Sequence, residues 1–179
     1  MSYKIISSKQ VCKNKWMEVT EDVIQNDSGK KFVFGVVRKQ PCALIIPWDG
    51  QYLTLVGQDR YPVEFFSWEF PMGHFEPDLH ADMEAAARAE LKEETGLTAG
   101  SIKKIGQFYI APGHHTQVCH VYIAQEFTQG KQELSDSEEG MLVKKATLCE
   151  FEKMINDGTI KDGLTLSAYG IIKSNSLLK

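Results

Sequence analysis

The stretch ADMEAAARAELKEETGL, residues 81–97, constrains this chain more than any other. It is the clearest helical pattern in a sequence otherwise rich in strand-like runs, with Asp82 placed to cap the first turn and Gly96 to end the last. At ~100° per residue, Met83, Ala86, Ala87, Glu90, Glu94 and Leu97 fall on one side. Two carboxylates therefore ride the apolar face. Like charges at i and i+4 repel mildly in water, and carrying them unneutralised towards a core is far more costly. Arg88 and Lys92 project from the opposite side of the helix. A divalent metal would supply the missing charge: magnesium takes oxygen ligands, a few carboxylates with waters and substrate phosphates, and carboxylates one turn apart can converge on it. A solvent-facing Glu/Lys helix is the alternative that the spacing leaves open.

Strands surround that helix. WMEVTEDVIQ and KKFVFGVVRK alternate apolar and polar side chains around the turn signal NDSG, which predicts an N-terminal hairpin. PCALIIPW is a continuous apolar run, the mark of a strand buried on both faces, and QYLTLVGQDRYP follows through the turn Asp49-Gly50. FFSWEFPMG stops sharply at Pro71 and Gly73, and a loop is expected from about Gly73 to His80. Beyond the helix, IKKIGQFYIAPG, VCHVYIAQEF and MLVKKA read as strands, and LCEFEKMINDG and LTLSAYGIIKSN carry the 3.6-residue spacing of amphipathic helices. The sum is a mixed α/β (α+β) domain over 41–179, preceded by a hairpin region over 1–40. At 179 residues there is room for one full core.

A formal charge of -4, without a local Lys/Arg cluster, offers no footprint for a nucleic-acid backbone. The opening residues lack the apolar core of a signal peptide, and no window approaches the ~18 to 20 apolar residues that span a bilayer. The expectation is a cytoplasmic protein that binds neither nucleic acid nor membrane. Cys12, Cys42, Cys119 and Cys149 stand far apart with no CxxC pair, and they read as reduced structural thiols.

ELKEETGL resembles the second half of the Nudix box, G-x5-E-x7-R-E-U-x-E-E-x-G-U, where U is a bulky aliphatic residue. The likeness extends through LVGQDRYPV, WEFPMG, the APG loop and DGTIKDGLTLSAYGI, in an order similar to the ADP-ribose (ADP-sugar) pyrophosphatase branch of that family. It implies the Nudix fold, a mixed β-sheet sandwiched between helices, and magnesium-dependent hydrolysis of a nucleoside diphosphate sugar, with manganese as the alternative metal. An ADP-sugar such as ADP-ribose would give AMP and a sugar phosphate. A GDP-hexose or a dinucleotide is the rival substrate, and a catalytically weakened nucleotide-binding protein the rival function. The evidence for weakening lies in the box itself: Ala81 replaces its first glutamate and Ala89 its arginine, while Gly73 lies two residues too far upstream.

The resemblance also assigns roles. Glu90 and Glu94 would be the principal metal ligands, with Glu93 assisting and the main-chain carbonyl of Met72 completing the coordination. Glu76 is a candidate stand-in for the glutamate missing at Ala81. The general base maps onto SDSEEGM, with Glu139 the first choice and Glu138 the second. Pro112 occupies a position associated with ADP-ribose preference. Arg60 is a candidate phosphate or ribose contact because its forked donors suit such oxygens. Glu69 would reach substrate or an ordered water, or else form a structural ion pair. Trp16, Phe32 and Trp48 could provide an adenine-stacking face, or else serve core and interface. His114 and His115 are assigned no role. The branch also implies a homodimer in which the N-terminal strands take part.

Overall fold

The computed structural model describes residues 3–178, apart from the side chain of Ser137. Its chain falls into two compact units: residues up to Pro41 together with Tyr109–Val118, and Cys42–Phe108 together with the residues from Cys119 onward.

The first unit is built on a three-stranded antiparallel sheet of β1 (Tyr3–Lys13), β2 (Glu18–Asn26) and β3 (Lys31–Arg38), in that order. The β2–β3 hairpin closes at the turn signal read from the sequence, where Gly29 takes φ +82° and its N–H donates to Asn26 O at 2.9 Å. β1 is a third strand beyond the two that the sequence patterning separates. Its weak alternation is interrupted by register shifts at Ile5/Ser7 and Gln10/Cys12, which disturb the two-residue period. Asp22 on β2 is buried and bonded to Arg38 at 2.8 Å and to Ser8. The 109–118 segment joins this unit through β3: Val37 N–H donates to His114 O and Thr116 N–H to Val37 O.

The second unit holds two sheets. One orders β10 (Leu142–Thr147), β5 (Tyr52–Arg60) and β6 (Phe65–Glu69), all antiparallel. The other orders β7 (Met72–His74), β4 (Cys42–Pro47), β9 (Val118–Gln129) and β8 (Leu97–Tyr109); it is mixed, since β4 runs parallel to β9 and antiparallel to β7. Every residue of β4 is buried, as its continuous apolar run requires. Ala43 and Ile45 meet Ala87 and Leu91 of the helix α1 (Met83–Thr95) in one core cluster with Leu97, Ala99, Tyr122 and Ala124. The helix α3 (Gly163–Asn175) also packs on β4, while α2 (Leu148–Asn156) packs on β10 and β5. Phe70, Phe151 and Tyr169 make a short aromatic stack among these elements. No helix among the described residues is long and apolar enough to cross a membrane.

One boundary differs from the sequence reading. Gly73 lies inside β7, paired with Ala43, so the loop begins only after His74. Local sequence gave glycine as a breaker, but the partner strand β4 makes it a rung.

Candidate active site

Helix α1 is fixed at both ends by the residues that the sequence nominates. The Asp82 carboxylate accepts from Ala85 N at 2.8 Å, and Gly96 adopts φ +73° with its N–H donating to Lys92 O. A side chain at Gly96 would also strike Gly130 O at 2.7 Å, so the chain needs glycine here for two reasons. The polar segment after β9 then takes up carbonyls at the end of the helix: Glu133 N–H donates to Glu93 O, Gln132 Nε2 to Glu94 O, and Gly130 N–H to Gly96 O. Lys92 adds an ion pair with Glu133 at 2.8 Å. This clamp, which the sequence reading missed, holds the turn that carries Glu93 and Glu94. Its only sequence trace is polar composition.

The apolar face of α1 turns Glu90 and Glu94 onto β7. Glu94 is 3% exposed and accepts a hydrogen bond from Met72 N at 3.0 Å. Glu90 lies against Gly73 so closely that a Cβ there would fall 1.6 Å from its Oε1. The two-residue insertion therefore does not displace Gly73. The extra length is absorbed in the 75–82 loop, where Leu79 and His80 N–H both donate to Glu76 O and His80 Nδ1 accepts from Glu76 N.

Electrostatically the site is short of positive charge. Burial, then the charges of Glu93, Glu138 and Glu76, push Glu90 up to about 8. Burial and then Glu90 raise Glu94 well above the usual carboxylate range, only partly offset by the Met72 N–H and, more weakly, by Arg60. Arg88 cannot help, because it is engaged with Glu84 and the Ala99 carbonyl. Among the described residues, no three Asp, Glu, His or Cys side chains are grouped closely enough to hold an ion unaided. The donors nevertheless suit a hard cation: they are carboxylate oxygens, Glu94 buried and Glu90 half-buried and each repelling the other, and waters or phosphate oxygens would complete a shell.

The other predicted residues fall into three groups. Glu138 ends the 3-10 turn Asp136–Glu138, and its carboxylate accepts from Ser135 N and Oγ. Its charge is felt at both Glu90 and Glu94, and the neighbouring Glu139 is exposed. Arg60, at the end of β5, reaches Glu69, at the end of β6, with its Nε within 3.0 and 3.1 Å of the two Glu69 oxygens. Glu69 is 2% exposed, so this pair is the structural alternative weighed for it. Burial works against the Arg60 charge, but Glu69, Asp162 and Glu94 outweigh it and raise its pKa. Asp162, which also caps α3 through Thr165 N, was not singled out by the sequence. Trp48 is buried in the core of the second unit. Pro112, Trp16 and Phe32 belong to the first unit, where Trp16 is 57% exposed beneath the Lys15 ammonium.

Carboxylates buried in this way, in a mixed-sheet α+β frame, point to a class of protein: hydrolases that act with the help of a bound metal. The family can be stated outright. A model described as "NUDIX domain" matches residues 38–166, and the chain belongs to the Nudix family; it is a Nudix hydrolase. Enzymes of this kind generally use a divalent metal. An ADP-ribose pyrophosphatase of Bacillus subtilis (strain 168) is 30% identical over 171 residues, covering 94% of this chain and 90% of that protein. A GDP-mannose pyrophosphatase of Citrobacter koseri is 31% identical over 97 residues, 53% of this chain and 51% of that protein. A solved structure described as an ADP compounds hydrolase superposes with a TM-score of 0.84 at 20% identity, over 97% of this chain and 94% of that one, which establishes the fold.

Proposed function

We propose that this Nudix hydrolase cleaves the pyrophosphate bond of an ADP-sugar, ADP-ribose before others, to AMP and a sugar phosphate, with magnesium as its metal and manganese as the alternative. The observation that carries this is the seating of Glu90 and Glu94 on β7 with only a weak influence of Arg60 on Glu94 to offset their charge. The substrate class rests on the full-length similarity to an ADP-ribose pyrophosphatase, where the GDP-mannose enzymes match only about half the chain.

Glu90 and Glu94 would hold the metal, joined by Glu93 and the Met72 carbonyl. When bound, the metal would neutralise charge on the phosphates and acidify a water. Glu76 would replace the carboxylate lost at Ala81, since its charge already bears on Glu90. Of the two loop glutamates, Glu138 is the better supported base, because its field reaches both ligands; Glu139 is the alternative. For either, the role is to take a proton from the attacking water, which requires an ionised carboxylate within hydrogen-bond reach. Arg60, held by Glu69, would offer its remaining N–H donors to phosphate or ribose; Pro112 and Trp16 are the further substrate contacts that the family resemblance proposes.

The N-terminal sheet supports a homodimer. β1 is exposed along its whole length, and Ile5, Ile6 and Val11 on it, with Val33 and Phe34 on β3, are uncovered apolar side chains that a second copy would bury. The free cysteines fit a reducing compartment such as the cytoplasm.

A panel of nucleotide sugars incubated with magnesium, with Glu94→Gln alongside, tests the central reading. ADP-ribose should turn over fastest, and the variant should lose roughly a hundredfold or more in rate, as expected when a metal ligand is removed. Equal turnover by wild type and variant would remove the metal assignment. The second reading, a weakened nucleotide binder, is favoured by Ala89, which leaves the exposed Glu93 without the arginine that the Nudix box has one turn before it. Nucleotide binding without metal-dependent turnover of any panel member would establish it.

A further inference from the structure

Cys42 and Cys119 form the first rung of the parallel β4–β9 ladder. Directly paired residues of neighbouring strands leave the sheet on the same face. Strand spacing of ~4.8 Å lies inside the ~4.4 to 6.8 Å Cα window of disulfides. The two thiols are hydrogen-bonded to each other, so the sulfurs meet rather than pass. Both residues are buried, at 2% and 0% exposure, unlike the exposed Cys12 and Cys149. Nothing in the hydrolysis uses either thiol.

We propose that Cys42 and Cys119 are a redox modification site, closing to an intrachain disulfide in the folded protein when a peroxide reaches them. One thiol gives up its proton and takes an oxygen from hydrogen peroxide, becoming a sulfenic acid as the first water leaves. The second thiol attacks that sulfur; the S–S bond forms, the S–O bond breaks and a second water departs. Two thiols and one peroxide thus give one disulfide and two waters, the sulfurs losing two electrons and the peroxide gaining them. The hydrogen bond to Cys42 and burial push the Cys119 thiol up and keep it protonated, so the resting pair is unreactive. The pair lies at the end of the β4–β9 ladder, and the oxidant would reach it through local opening there. Such pairs in reducing compartments are transient and responsive rather than structural.

The test uses Cys12→Ser/Cys149→Ser, which removes the exposed thiols, with the wild-type chain in parallel. Each is oxidised with hydrogen peroxide under native conditions, alkylated in denaturant, digested and analysed by mass spectrometry. A peptide linking residues 42 and 119, released by dithiothreitol and absent after Cys42→Ser, is the expected result. Recovery of both cysteines fully alkylated would overturn the proposal. A link that forms only when oxidation is carried out in urea would do the same, as would sulfinic acid in place of the link.

Discussion

At the scale of single residues, Gly73 carries the most weight. Gly73→Ala should collide with the Glu90 carboxylate and push it off its seat, while its effect on the fold should be small because the colliding atoms end a side chain. We expect divalent-metal affinity to drop by about an order of magnitude or more, in the range seen when ligand-orienting contacts are lost; manganese titration checks affinity, and circular dichroism checks the fold. Glu90 also sets a pH signature. In the metal-free protein its carboxyl is pushed up to about 8, above its usual value of 4.5, so the folded state holds a proton that the unfolded chain has released. That contribution is complete below the ordinary carboxylate range and is lost as pH rises towards 8. With chelator, the melting temperature should fall between pH 5 and 8; magnesium should restore more of it at pH 8 than at pH 5, since metal replaces the proton. A chelated protein whose melting temperature is flat across this range would contradict the assignment. At the neighbouring position, Ala89→Arg should raise magnesium-dependent turnover by restoring a cation one helical turn before Glu93; an unchanged rate would mean that Glu93 is already held, as the Glu133 N–H bond to its carbonyl suggests.

At the scale of elements, α1 is a lever between its two caps. Asp82→Ala removes the bond to Ala85 N and should destabilise the protein by about 1 kcal/mol, read as a lower urea midpoint with an unchanged slope. The caps and the apolar stripe were legible in sequence because they are local: each needs residues only a turn apart. The clamp from residues 130–133 was not, since nothing in a run of polar residues says which distant carbonyls it will meet. Glu69 illustrates the same limit. Its sequence neighbours allow a substrate role and a structural pair alike, and only the folded chain brings the Arg60 guanidinium, nine residues away, onto its carboxylate.

For the whole molecule, the exposed N-terminal sheet makes self-association the property to measure. Val33→Glu/Phe34→Glu would put charge into the apolar strip, and sedimentation should then report monomer where the wild-type chain reports dimer. A wild-type chain that sediments as a monomer at micromolar concentration would end the dimer reading.

A capped helix with two carboxylates on its apolar face, strands around it and an altered Nudix box are all legible in the residues alone, because periodicity, caps and motif spacing are properties of neighbouring residues. The folded chain adds what no local pattern could: Gly73 still receives Glu90 despite the insertion, the charge of Glu138 bears on Glu90 and Glu94, and Cys42 meets Cys119. Each of these depends on strand register and loop path, which bring together residues that are 17 to 77 positions apart.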